Sequence, residues 1–277
     1  RRQIVRRFEQ TDAFALRPEE RLLDGLVAFR CQARHEFFRG CAVDAREGAR
    51  VFCVSRTAAK LQAVVESITG DGGQAAFVAA DLSIPDGAQV AVDGALKAFG
   101  RIDILINAAG VGYSWQEQSP GSMNDTATCE PDKWREVMAI NLDSLFYMCR
   151  LVVPQMRLQK GGSIVNVASI YGMIGVPDAH AYTATKGAII NYTRSLAVSY
   201  VKDGIRSNCL CPGFVDTGMV ASVTPLFKDP AVAESITPMC RPGTPAEMAY
   251  AALYLGSDEA GYCNGTVLVA DGGTTAR

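Results

Sequence analysis

Histidine is scarce in this chain of 277 residues: only His35 and His180 occur. No histidine–cysteine cluster accompanies either, so no metal site is expected. The nine cysteines include no CxxC pair. An odd, dispersed set in a chain able to build its own core reads as reduced thiols in a cytoplasmic compartment. Cys209 and Cys211 lie two apart, on one face if they sit on a strand, and read as small buried apolar residues rather than metal ligands. A GxSxG elbow with a partnering histidine is missing, which sets a serine hydrolase aside. Charge is nearly balanced, 27 lysines and arginines against 29 acids. No long-range field therefore favours nucleic acid or an anionic membrane. No apolar run reaches the roughly 18 residues of a bilayer span. Glycine numbers 26, yet none occurs from Leu26 to Arg39, where the turn RCQARHEFF follows the apolar run Leu26–Phe29.

With 48% hydrophobic and 20% charged residues, the chain has the make-up of one large globular α/β domain. Short apolar runs bounded by turn residues predict strands at Leu26–Phe29, Val51–Val54, Ala76–Ala79, Ile104–Ile106, Ile164–Val167, Ile205–Leu210 and Val267–Val269. Helical patterns fall between them, near 57–69, 86–99, 131–158, 180–203 and 245–256. The last opens on Thr244-Pro245-Ala246-Glu247, a capping box with proline in the first turn. Strands alternating with helices predict right-handed crossovers and a doubly wound, mostly parallel sheet of about seven strands with helices on both faces. Residues 23–277 read as that single domain. Residues 1–22, with their arginine-rich start, read as an extension: a targeting segment, a tag remnant, upstream read-through or a flexible arm. The first methionine is Met123, so position 1 is not expected to be a natural start.

Ligands of such sheets bind beyond the carboxyl ends of the strands, and the informative residues follow strands. Asp81 follows the third, Asn107 to Gly110 the fourth, Ser169 the fifth, and Pro212-Gly213 the sixth. Tyr182 and Lys186 are spaced i, i+4 and share one helical face. Ser169 precedes Tyr182 by thirteen residues at a strand end. Singly these are a half-buried tyrosine, a solvated lysine and a loop serine; in this order they form a set.

That set, with DLS (81–83), NAAG (107–110), the Asn141 of MAINL, PGFVDT (212–217) and VADGG (269–273), resembles the short-chain dehydrogenase/reductase family over roughly residues 47–273. The resemblance implies a Rossmann-like oxidoreductase that interconverts a secondary alcohol and a ketone with NADP(H) or NAD(H). It implies that Tyr182 is the general acid/base, its pKa lowered by the Lys186 ammonium. Ser169 would hold the substrate oxygen, and Asn141 would anchor a water linking Lys186 to solvent. Lys186 would also bond the nicotinamide ribose. On the cofactor side Asp81, with Leu82, would meet the adenine. Asn107, Ala108 and Gly110 would border the adenosine, and Pro212, Gly213, Val215 and Thr217 the nicotinamide. Arg56 stands where an acid would contact the ribose diol, and arginine pairs with a 2′-phosphate. That leans to NADP(H). The plainer reading of Arg56 is a strand cap in solvent.

The family's cofactor loop has the form TGxxxGxG, which places Cys31 at the threonine and Gln32, Glu36 and Phe38 at the glycines. Glycine there permits positive φ and close approach to the pyrophosphate at a helix amino end. Three readings stay open for residues 30–45: compensating reading-frame changes or sequence error, a lost cradle, or a rebuilt one. A lost cradle would make the chain a catalytically silent binding or scaffold protein. The insertion between Gly110 and Asn141 is long and rich in turn residues. Tyr113 or Trp115 there could reach a substrate, or only pack. Residues 218–240 occupy the place of the family's substrate lid, and their apolar content leans to a neutral alcohol or ketone. The segments 131–158 and 180–203 resemble helices that pair in family dimers, so a homodimer or homotetramer is expected.

Overall fold

The computed structural model describes residues 26–29, 41, 45–220 and 224–277. The extension 1–22 and the positions Cys31, Gln32, Glu36 and Phe38 lie outside the described residues. Seven strands form one sheet in the order β3-β2-β1-β4-β5-β6-β7, every neighbouring pair parallel. The strands are β1 (Leu26–Phe29), β2 (Arg50–Ser55), β3 (Gln74–Ala79), β4 (Ile104–Asn107), β5 (Gly162–Val167), β6 (Ile205–Pro212) and β7 (Val267–Ala270). Strand order reverses between β1 and β4, which creates the crevice where doubly wound sheets bind ligands.

Helices cover both faces, and β2 shows why. Its Phe52 and Val54 enter one apolar cluster while Val51 and Cys53 enter the other, the period-2 alternation of a strand buried on both sides. The first cluster takes Ala88, Ala91, Val92 and Ala95 from α2 (Pro85–Phe99), Met148, Val152 and Met156 from α4 (Ser144–Gln159), and Ile189 and Leu196 from α5 (His180–Tyr200). The second takes Leu61, Val64 and Ile68 from α1 (Ala58–Gly70) and Ala252 and Leu255 from α7 (Pro245–Gly256). Leu105 of β4 is fully buried; truncating such a residue to alanine costs about 2–5 kcal/mol. The capping box of α7 is formed from both sides, Glu247 N donating to Thr244 Oγ1 at 3.2 Å and Thr244 N to Glu247 Oε2 at 2.7 Å. Cys209 and Cys211 share one face of β6, fully buried with their sulfurs 3.9 Å apart.

Two departures from the sequence reading matter. The single helix expected over 131–158 is α3 (Pro131–Met138), a π turn (Ala139–Asp143) and then α4. One wide turn resets the helix face and leaves Asn141 on the inside. The run Pro131–Gln159 also has the length and composition of a membrane span, which reading uninterrupted apolar stretches did not show; half of its most apolar window is buried within the fold. Its apolar side packs on α2 and the sheet. A further short helix, α6 (Pro230–Ile236), is capped by Asp229, which accepts from Ala231 N at 2.9 Å.

Candidate active site

Ser169, Tyr182 and Lys186 converge beyond the end of β5. The chain leaves β5 extended at Ser169 (φ −171°) and enters a 3-10 turn, Ile170–Gly172, whose Tyr171 N–H donates to Ser169 Oγ at 3.2 Å. This turn lies directly on α5. A Cβ added at Gly172 would stand 2.6 Å from the Lys186 carbonyl oxygen, so the approach depends on glycine. Tyr182 and Lys186, one helical turn apart, are both buried. They border one cleft with Ala108, Ser169, Pro212, Gly213, Val215 and Thr217. The Gly213 backbone is pressed against Asp271, where an added Cβ would come within 2.8 Å.

Burial pushes the Tyr182 phenol up to about 12, and the hydrogen bond from Ser169 is what pulls it down. Lys186 lies over the ring, its Nζ 5.6 Å from the centroid. It donates to the Val167 carbonyl at 3.0 Å. Burial lowers Lys186 to about 8. The hydrogen bond of Lys186 goes to the Val167 carbonyl, and the lowering of the phenol comes from Ser169.

Asn141 is fully buried and grips the chain beyond β4 by both amide atoms. Its Oδ1 accepts from Val111 N at 2.7 Å, and its Nδ2 donates to Val111 O at 3.1 Å and Thr185 Oγ1 at 3.3 Å. Gly110 sits above it: an added Cβ would lie 3.1 Å from Asn141 Oδ1 and 3.6 Å from Lys186 Nζ. Asn107 faces the interior, donating to Asn166 Oδ1 at 2.9 Å, and Asn166 passes the chain on to Thr193 Oγ1 at 2.9 Å. Leu82 is likewise a core side chain.

Across the sheet's carboxyl edge a small cavity is bordered by Arg56, Asp81, Leu82, Ser83, Ala109 and Ile140. Asp81 Oδ1 accepts from Ser83 N and Oγ at 3.0 and 2.7 Å, while Oδ2 is 3.8 Å from Arg56 Nη1. Arg56 is not a solvated strand cap. Its guanidinium lies 5.5 Å from the centre of the Trp115 ring, and its Nε and Nη2 are buried without a hydrogen-bond partner among the described residues.

Of the two aromatics singled out in the insertion, Tyr113 borders the cleft. Trp115 packs inward and donates to Glu136 Oε1 at 3.0 Å. Tyr171, Phe214 and Met219 also border the cleft. Phe214 lay in the PGFVDT motif already picked out, and only the fold brings it and Tyr171 to the cleft. A second serine–lysine pair, Ser119 with Lys133 (2.6 Å), serves the insertion instead. Lys133 and Ser119 both bind Glu136, the Tyr113 hydroxyl donates to Asp178 at 3.0 Å, and neither Ser119 nor Lys133 borders the cleft.

A parallel sheet of this order, with a serine, a tyrosine and a lysine meeting beyond its carboxyl edge, defines an NAD(P)-dependent oxidoreductase of Rossmann type. The chain belongs to the short-chain dehydrogenase/reductase family. Residues 40–275 match the family model described as enoyl-(acyl carrier protein) reductase. The chain is 39% identical over 214 residues to a 3-oxoacyl-(acyl carrier protein) reductase of Chlamydia pneumoniae, covering 77% of this chain and 82% of that one. It is 35% identical over 237 residues to a cyclopentanol dehydrogenase of Comamonas testosteroni, covering 86% and 91%. Among solved structures it is similar to levodione reductase, with a TM-score of 0.81 and 31% identity over 92% of this chain and 99% of that one.

Proposed function

We infer that this oxidoreductase interconverts a small secondary alcohol and its ketone with a preference for NADP(H), using Tyr182, Ser169, Lys186 and Asn141. When bound, the nicotinamide cofactor supplies or accepts the hydride. The chain's own residues hold the oxygen and move the proton. Ser169 and Tyr182 present adjacent hydroxyls to a substrate oxygen in the cleft, Tyr182 exchanging the proton. Lys186 and Asn141 position this pair: the first fixes the end of β5 through Val167, the second fixes the chain after β4 through Val111. Desolvation in the cleft strengthens each of these polar interactions.

The observation that carries the cofactor preference is Arg56. The guanidinium is paired loosely with Asp81 through Nη1 at 3.8 Å, while Nε and Nη2 have no hydrogen-bond partner among the described residues, and a ribose 2′-phosphate would supply an acceptor for them. The homo-oligomer we infer is supported by apolar side chains left exposed on the expected helices, Phe146 on α4 and Val198 on α5; a monomeric mass by light scattering rejects it. Titration of the purified protein with NADPH and NADH, followed by nicotinamide fluorescence, tests the central reading. Saturable binding at micromolar levels with NADPH tighter is expected. Folded protein that binds neither at millimolar levels overturns it and points to the glycine-free turn; restoring glycine at Gln32, Glu36 and Phe38 is then the direct repair.

A further inference from the structure

Behind the catalytic cleft lies a second cavity of about 170 Å³, bordered by Thr237, Met239, Arg241, Glu247, Asp271 and others, with Phe214 common to both. The two spaces differ in chemistry. Among the described residues Lys186 is the only charged one bordering the cleft, and around it stand the apolar or aromatic side chains of Tyr113, Tyr171, Val215 and Met219. The cavity behind carries both signs of charge, with Arg241 paired to Glu247 at 2.7 Å and Asp271 nearby.

Phe214 is held firmly between them. Its carbonyl accepts from Gly243 N at 2.8 Å, and the next residue, Val215, forms a parallel bridge with Gly243. Its ring meets Tyr171 edge-on at 6.1 Å and Phe227 at 6.3 Å. Tyr171 in turn meets Tyr113 at 6.2 Å, and Tyr113 is anchored through its hydroxyl to Asp178. Four chain segments thus contribute rings to one continuous wall. Such ring contacts, which favour edge-on geometry, keep Phe214 from swinging aside.

We propose that Phe214 is a specificity-determining residue: it partitions an apolar cleft from a charged cavity, so the substrate is a compact, uncharged cyclic ketone or alcohol, and a ketone with a polar tail is admitted only when the partition is removed. This rests on the oxidoreductase reading above. A compact ring fills the aromatic cleft without leaving a polar group unpaired. A tail ending in a hydroxyl or carboxylate would lose its hydration among mostly apolar and aromatic side chains, where the Tyr113 hydroxyl is already bonded to Asp178, and that cost discriminates against it.

The test compares kcat/KM for cyclohexanone and for 5-hydroxypentan-2-one, with saturating NADPH, in the wild type, Phe214→Leu and Phe214→Ala. Wild type is expected to favour the ring ketone by roughly tenfold or more. Phe214→Ala is expected to reduce that ratio about tenfold, mainly through a lower KM for the tailed ketone, with Phe214→Leu between. An unchanged ratio in a Phe214→Ala protein that still turns over cyclohexanone overturns the proposal alone, as does a wild type that prefers the tailed ketone. If Phe214→Ala fails to fold, Phe214→Leu decides on the same criterion. Wild type that binds NADPH but reduces neither ketone overturns the compact-ketone assignment while leaving the cofactor reading intact; wild type that binds no cofactor overturns both.

Discussion

Lys186 Nζ stands 5.6 Å from the centre of the Tyr182 ring and donates its hydrogen bond to the Val167 carbonyl at 3.0 Å. The two residues share a helical face, as their spacing requires, with the cation over the ring. A lysine so buried is a cost to the fold that function retains.

That cost is measurable. Burial lowers Lys186 to about 8 in the folded chain, against an ordinary 10.5. Below pH 8 the ammonium is buried at full cost; between pH 8 and 10.5 the folded chain binds fewer protons than the unfolded one, so stability rises with pH through this window. Lys186→Met is therefore expected to stabilise the cofactor-free protein by about 1–2 kcal/mol at pH 7, allowing for the lost bond to Val167. The gain should fade towards pH 10.5. Thermal denaturation of both proteins from pH 7 to 10 checks it, and a variant less stable than wild type at pH 7 contradicts it.

Ser169 lowers the Tyr182 phenol that burial raises. Removing it with Ser169→Ala should shift the ionisation of Tyr182 further up. In the direction of alcohol oxidation, which requires the phenolate, the rise of kcat with pH is expected to move to higher pH, alongside a drop in rate of roughly 10²-fold or more. A pH–rate profile that keeps its midpoint while losing amplitude would mean that Ser169 acts on the substrate alone.

Asn141→Ala leaves the buried N–H and C=O of Val111 without partners. The expected loss is roughly 2–3 kcal/mol by denaturant unfolding. Asn141→Asp keeps an acceptor for Val111 N but sets a carboxylate against Val111 O, and should be at least as destabilising near neutral pH. Equal stability of Asn141→Ala and wild type would remove the clamp assigned to this residue.

For Arg56, substitution by alanine withdraws the two nitrogens at the Asp81 cavity that have no hydrogen-bond partner among the described residues. NADPH binding should weaken by about 10- to 100-fold, the worth of one or two charge-assisted hydrogen bonds, with NADH within about threefold of wild type. Fluorescence titration of both cofactors reads the result; parallel loss of both would assign Arg56 to packing on Trp115 instead.

Much of the fold was legible in local pattern. β2, β4, β5 and the capped start of α7 came directly from apolar runs bounded by turn residues and from Thr244 and Glu247, because strand period and capping depend on near neighbours. The pair Tyr182 and Lys186 was legible for the same reason, four residues on one helix. The π turn at Asn141 was not, since it depends on what the helix packs against, and the segment reads as regular helix in isolation.

By itself the sequence determined the alternation of strands and helices, the order of residues at the strand ends and the family to which they belong, all carried by local spacing and residue type. Only the tertiary structure decided that Asn107 turns into the core, that Arg56 stacks on Trp115, and that Lys186 bonds Val167. It likewise made Phe214 the wall between an apolar and a charged space. These depend on contacts between segments far apart in the chain, and which polar atom finds a partner is settled by packing in three dimensions rather than by neighbours in sequence.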